Sequence, residues 1–426
     1  MQSAKVNEET VKASAFDWKS LLSVKGASVA TAAAVLVAGG VTFGVSNSIA
    51  ESQKVVSGVK ADGAPISGLN EEGTRKAFEG IASNKMHTIN FTYGDKTFSI
   101  QPSDINWTPN VDEATKNALS YGRSSNSSID NLKDQIQTAL NGREVNLTAN
   151  YDENLLNEKL NAIAADINCQ PVNAYCDLDN SGNVVKYAGV IGKHLDTETL
   201  AQSLKDPLNS LNVQDNIELT PEETQPFVTT EDISQIDSVL GQYTTSFYLG
   251  DRGDNISLAA SSINDTLLKP GWTFSFNDVV GERSYSAGYK TAGVILNGRP
   301  AQGVGGGICQ VSSTLYNAVL LAGLTPTERS PHYFPSSYIA SGRDATVAYG
   351  QIDFKFRNDL PHNVYVLAYT YGSRLTCYIL GTKADLDGNT IKIETSGSHM
   401  YPSVYRVYYK DGQVTKDEFL HTDSYH

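Results

Sequence analysis

The chain has 426 residues, enough for two or three domains rather than one. Its 33 Lys and Arg against 47 Asp and Glu give a net charge of −14, which excludes a nucleic-acid partner, because phosphate recognition needs a basic face. Hydrophobic residues at 40%, with 35 Gly and 14 Pro, exclude a disordered or collagen-like polymer.

In chain order, the first feature is a charge-free run between Lys25 and Glu51, rich in Ala, Val and Gly. Twenty helical residues rise about 30 Å, the thickness of a bilayer core. Residues 26–46 are therefore expected to be a transmembrane anchor. The preceding residues 1–25 carry Lys5, Lys12, Lys19 and Lys25 and are expected to be a cytoplasmic tail. Ser48-Ile-Ala50 also has the small-x-small pattern of a signal cleavage site. The expected location is the cell membrane, single-pass, with everything after Glu51 on its outer side.

From Val55 to about residue 232 the sequence mixes strands and helices. A helix is expected from Asn70, a hairpin over Thr88–Tyr93 and Lys96–Ile100, and helices over Val111–Tyr121, Ile129–Leu140, Asn154–Ala165 and Asp196–Leu208. Val184–Val190 reads as a strand. Cys169 and Cys176 are close enough in sequence for a small disulfide loop, although so few cysteines favour free thiols. No metal-ligand spacing of Cys and His occurs, so no metal or other cofactor is expected.

After a polar boundary near Thr230–Ser238, the segment 240–385 is dense in Gly, Tyr and short strand patterns. Its richest stretch is Gly303-Val-Gly-Gly-Gly-Ile-Cys-Gln-Val-Ser-Ser-Thr-Leu-Tyr-Asn317. The glycines can adopt positive φ and expose N–H groups, and a helix should begin near Ile308 or Cys309 and end at Gly323. Ile308, Val311, Leu315, Ala318 and Ala322 form an apolar stripe; Cys309, Ser312, Ser313 and Tyr316 share another face by i, i+3, i+4, i+7 spacing. A cysteine in the first helical turn is favoured as thiolate, and the backbone of Gly306, Gly307 and Ile308 could cradle an oxyanion. Ser312, Ser313 and Tyr316 then lie where substrate would be contacted. The alternative is a small buried thiol packing a glycine-rich turn.

A cysteine nucleophile needs a base. His332, in a loop stiffened by Pro331 and Pro335, is the expected one, with His362 as an alternative and His194 assigned to the other domain. Cys377 falls in an alternating strand-like run and reads as a core thiol. Residues 386–426 form a C-terminal β extension containing the Asp411-Gly412 hairpin.

Tyr243-Thr-Thr-Ser-Phe247, Pro270-Gly-Trp-Thr-Phe-Ser-Phe-Asn277 and Val280-Gly-Glu-Arg283 resemble the opening of VanW domains. Gly305 to Ala318, Glu328-Arg329, His332, Gly342-Arg-Asp-Ala345, Asp353, Phe356 and Asn358 resemble the central motifs of that family. The stretch from 55 to 232, through Gly189-Val-Ile-Gly-Lys-His-Leu-Asp196, is similar to the peptidoglycan-binding domain often found ahead of VanW domains. The resemblance implies an α+β catalytic unit, a glycine-rich turn and helix against an antiparallel sheet. It also implies peptidoglycan L,D-transpeptidation, the formation of 3→3 cross-links between stem peptides, with Cys309 as nucleophile, His332 as proton carrier and Asp344 as its orienter. Arg329 and Arg343 would bind stem carboxylates. A noncatalytic wall-binding or glycopeptide-resistance accessory protein is the alternative from a different class.

Overall fold

A computed structural model of the chain describes residues 52–296 and 299–426. They form two compact units, each assembled from two stretches of sequence: the described residues up to Ile167 with Leu195–Glu222, and Asn168–His194 with Glu223–His426. Both mix helices and sheets, as the α+β expectation requires. The membrane part of that expectation is corrected. The tail over 1–25, the anchor over 26–46 and the cleavage site at Ser48–Ala50 lie outside the described residues, and no helix among the described residues is long and apolar enough to cross a membrane. The single-pass membrane location is set aside with it.

In the first unit, Asn70 caps the helix Glu71–Lys85 by accepting from the Gly73 N–H at 2.9 Å, satisfying one of the otherwise unpaired donors of the first turn. Helices Val111–Ser120, Ser128–Asn141, Glu153–Ile167 and Thr197–Asn209 follow. The hairpin Ile89–Tyr93 and Lys96–Ile100 gains a third, parallel strand from Asn216–Glu218. Phe78, Phe91, Ile105, Leu160 and Leu208 are fully buried in its core, each contributing on the order of 1.5–3 kcal/mol by leaving water.

The second unit is built on an antiparallel sheet of Ser238–Ser246, Arg374–Gly381, Val364–Tyr371 and Thr266–Leu268, in that order. Period-two alternation divides its side chains. Val364, Val366 and Ala368 face the main core, while Tyr365 and Leu367 face the opposite cluster. That opposite face is covered by Cys176, from the hairpin Tyr175–Leu178 and Val184–Tyr187, and Ala174 just before it, together with Val228, Ile233 and Ile236. Where the sequence reading kept 55–232 as one run, segment 168–194, with His194, packs in this second unit. Its two cysteines are free, Cys169 exposed and Cys176 buried.

On the main-core side, helices Asp251–Ile263 and Ile308–Leu321 lie against the sheet. The second of these packs so closely that a Cβ at Gly241 would sit 2.2 Å from the Ala318 carbonyl oxygen. No larger residue fits there without moving the helix off the strand. A smaller sheet, Thr273–Ser275, Lys355–Arg357 and Thr325–Glu328, brings Phe274 and Phe356 into a stack at 4.8 Å. The C-terminal extension is a three-stranded meander, Thr390–Ser398, Tyr401–Lys410 and Gln413–Thr422, turning at Asp411 and Gly412 with φ of 52° and 79°. Both signs suit the tight hairpin turn that Asp-Gly favours.

Candidate active site

The site begins with the glycine run. Gly305 and Gly307 have φ of +79° and +111°, the left-handed region where a side chain would strain the backbone. Gly306 has no room for one: a Cβ there would meet the Ala292 carbonyl carbon and the Gly293 carbonyl oxygen at 2.7 Å. Asn255 fixes the turn from below, donating to the Lys290 and Gly306 carbonyl oxygens at 2.9 and 3.0 Å. Gly307 is the N-cap of the helix Ile308–Leu321, which places Cys309 in its first turn. Among the described residues, no backbone acceptor takes the N–H of Gly306, Gly307 or Cys309. All three residues line an open cleft of about 1970 Å³.

Cys309 is half-buried at the floor of that cleft, and His332 and Tyr338 line it as well. His332 is near enough to Cys309 to draw its thiol down through charge and hydrogen bonding. His332 Nδ1 lies 2.6 Å from Asp344 Oδ2, which also accepts the His332 backbone N–H at 2.6 Å. With Nδ1 held by the carboxylate, Nε2 is the nitrogen left for the sulfur. As a thiol, Cys309 donates to the Val347 carbonyl at 3.4 Å.

Electrostatics follow from this arrangement. Burial alone would push the Cys309 thiol up; the hydrogen bond and charge of His332, with Arg283, outweigh it and bring it below the ordinary value. Burial would likewise lower His332, but its bonds to Asp344 and Cys309 raise it to about 9. Burial also disfavours charge on Asp344, yet the His332 hydrogen bond, the Arg329 charge and the Tyr425 hydroxyl hold it well below the carboxylate range. These shifts favour a thiolate–imidazolium pair beside an ionised carboxylate.

The structure therefore brings Cys309, His332, Asp344 and the Gly306–Gly307 backbone together, whereas the Ile308 N–H, also expected to face an oxyanion, is taken by the Gly305 carbonyl at 3.4 Å. It places the other expected substrate contacts elsewhere. Ser312 Oγ donates to the Ala345 carbonyl at 2.6 Å, and Ser313 Oγ accepts the Ala345 N–H at 2.9 Å. Both are fully buried and neither lines the cleft. Tyr316 is also buried, with its hydroxyl 2.8 Å from His421 Nε2. Arg329 grips Asp423 with Nη1 and Nη2 at 2.6 and 2.7 Å and reaches Asp344 Oδ1 at 3.2 Å, so its guanidinium is spent inside the protein. Arg343 donates to Asn317 Oδ1 at 2.7 Å and stacks on Tyr243. His362 pairs with Asp385 at 2.7 Å and does not line the cleft.

Three supports escaped the sequence reading. Tyr425 donates to Asp344 Oδ1 and accepts the Gly342 N–H at 2.8 Å. Asp423 anchors Arg329, and His421 holds Tyr316. All three come from the last six residues, where no periodicity or motif marks them. The rest of the tail follows: the His426 N–H donates to the Tyr333 carbonyl at 3.0 Å and its ring stacks on Tyr333 at 4.5 Å.

Residues 251–380 match the family described as "VanW like protein", and residues 98–215 the family described as "Putative peptidoglycan binding domain". The chain is 47% identical over 138 residues to protein YoaR of Bacillus subtilis (strain 168), covering 32% of this chain and 46% of that one. It is 36% identical over 146 residues to the "Vancomycin B-type resistance protein VanW" of Enterococcus faecalis (strain ATCC 700802 / V583), covering 32% and 52%. The chain thus spans about half the length of the curated relatives it matches. No solved structure matches. The cysteine, the histidine and the aspartate of the site all fall inside the matched region: the chain carries a VanW-like domain, preceded by a peptidoglycan-binding-family domain.

Proposed function

We propose that this protein is a cysteine-dependent acyltransferase of the cell wall, an L,D-transpeptidase that joins peptidoglycan stem peptides through 3→3 cross-links. The observation that carries the reading is the Cys309–His332–Asp344 relay at the mouth of a glycine-lined helix start. The peptidoglycan-binding-family domain ahead of it supplies the polymer context.

In this reaction the Cys309 thiolate attacks a peptide carbonyl of the donor stem. The N–H groups of Gly306, Gly307 and Cys309 receive the developing oxyanion. As the C–N bond breaks, His332 Nε2 gives its proton to the departing amine of the terminal residue, leaving a thioester on Cys309. An amine from a second stem then loses a proton to His332 and attacks the thioester. A new amide forms and the thiolate is restored. Asp344 stays ionised throughout and holds the imidazole with Nε2 toward sulfur. The cleft, about 1970 Å³, is large enough for two peptide chains, and the exposed rings of Tyr248, Tyr333 and Phe334 on its walls suit the packing of extended substrates.

The test is to incubate the full chain with disaccharide-tetrapeptides and identify products by mass spectrometry. Cross-linked dimers lacking one terminal residue are expected, and none with Cys309→Ala. Tight binding without any bond formation, unchanged by that substitution, would instead make it a wall-binding accessory protein.

A further inference from the structure

Two arginines flank the glycine run, and both line the cleft. The Arg283 stem packs on Gly305, where an added Cβ would meet Arg283 Cβ at 2.9 Å. The Arg252 stem packs on Gly307, where a Cβ would meet Arg252 Cγ at 3.0 Å and the Arg252 carbonyl oxygen at 3.1 Å. The glycines thus make room for two cations beside the nucleophile as well as bending the backbone.

Their hydrogen bonding sets them apart from the other arginines near the site. Arg329 is closed off by two carboxylates, and Arg343 is held by Asn317 and the Tyr243 ring. Arg283 gives Nη1 to the neutral Asn277 Oδ1 at 2.7 Å, while its buried Nη2 has no partner among the described residues. Its guanidinium lies 5.6 Å from the centre of the Phe276 ring and 5.8 Å from that of Tyr349, which fixes the plane. The neighbouring carboxylate, Asp353, is taken by the Ser275 hydroxyl at 2.6 Å and the Asn277 N–H at 2.9 Å. Among the described residues, Arg252 makes only long bonds to neutral acceptors, 3.5 Å to the Gly293 carbonyl and 3.3 Å to Gln310 Oε1. A buried guanidinium nitrogen without an acceptor is costly to maintain unless a ligand supplies one. In a chain of net charge −14, two such cations in one cleft mark a site for an anion.

We propose that Arg283, assisted by Arg252, forms a carboxylate-binding subsite beside Cys309, and that the peptide taken by the cleft carries a free carboxylate next to the bond attacked. The proposal deepens the acyl-transfer reading by naming the substrate class, and rests on that reading only for the identity of the bond. Nη2 and Nε of a guanidinium can receive both oxygens of a carboxylate side by side, which a lysine cannot do. A donor whose terminal carboxylate is amidated would offer the guanidinium one neutral acceptor in place of two charged ones.

The test uses binding and alkylation, neither of which requires turnover. Iodoacetate and iodoacetamide react with the same thiolate, so the ratio of their rates at Cys309 cancels the thiolate fraction and reports an anion subsite. In the full chain the ratio is expected to exceed that of free glutathione, and to fall about tenfold in Arg283→Gln. Arg283→Lys, which keeps the charge, guards against a folding defect and should recover part of the ratio. In Cys309→Ala, calorimetry with a tetrapeptide acid and its C-terminal amide should show the acid bound about tenfold more tightly, a preference erased by adding Arg283→Gln. A rate ratio unchanged in both Arg283 variants, or equal binding of acid and amide, overturns the subsite. Retained acid preference without any cross-linked product would sink the transpeptidase reading alone.

Discussion

Cys377 lies in the strand Arg374–Gly381, paired across to Tyr243 on one side and Ala368 on the other, while Cys309 opens a helix beneath a cleft. Both thiols sit in the same compact unit and pack against the same apolar core. At Cys377 burial acts alone and pushes the thiol far up. Cys309 also loses water, but His332 reverses the outcome. Desolvation is common to the two positions; what differs is a charged hydrogen-bond partner whose own charge is held by a buried carboxylate. The direction of the thiol's shift therefore follows from His332 and Asp344 and not from burial.

The largest effect that could break the comparison comes from exchanging the two thiols' fates. Cys309→Ala should abolish dimer formation while leaving the melting temperature close to that of the parent, since Ala is favourable at a helix start. Cys377→Ala should do the reverse, costing about 1–2 kcal/mol through the cavity left behind and keeping full turnover per folded molecule. Melting curves combined with product counts check both. Loss of activity in Cys377→Ala at unchanged stability would contradict the assignment of roles.

Next in size is His332→Ala. Removing the proton carrier should lower the rate about 10²–10⁴-fold, measured as dimer formed per unit time. Smaller still is Tyr425→Phe, which deletes the hydrogen bond to Asp344 and takes the acceptor from the Gly342 N–H, while keeping the ring. It should cost about 1–3 kcal/mol in denaturant unfolding and shift the Cys309 pH profile slightly downward, because a carboxylate relieved of one donor is a stronger partner for the imidazolium. An unchanged profile in Tyr425→Phe would confine the C-terminal tail to a purely structural role.

Much of this was legible in the sequence because it rests on local rules. The glycine run, the helix start at Ile308 and its end before Gly323 follow from positive-φ chemistry and helix capping. Asp411-Gly412 placed the final hairpin, and Asn70 the start of a helix. Helical spacing correctly grouped Cys309, Ser312, Ser313 and Tyr316, but spacing cannot say whether a face meets solvent or a second layer of protein. Here it meets protein: every residue from Gln310 to Leu320 is buried, and the polar ones are satisfied by the 343–345 segment, the strand containing Thr245 and the C-terminal tail. Arg329 failed as a carboxylate binder for the same reason, since its partner Asp423 lies 94 residues away. The swapped segment 168–194 was equally invisible, because its hairpin reads the same whichever sheet it covers.

The central claim is that His332 draws the Cys309 thiol below its ordinary value and so favours the thiolate, and the pH dependence of iodoacetamide labelling at Cys309 tests it most directly. Labelling rises with the thiolate fraction, so a lowered thiol pKa moves the midpoint of the curve to lower pH. In the parent protein the midpoint should lie below that of an ordinary thiol, about 8.5, and the rate should remain high down to neutral pH. In His332→Ala, with burial opposed only by the Val347 backbone and the Arg283 charge, the midpoint should move above that value. A parent midpoint at or above 8.5, unmoved by His332→Ala, would show that the two side chains are merely neighbours and would contradict the account.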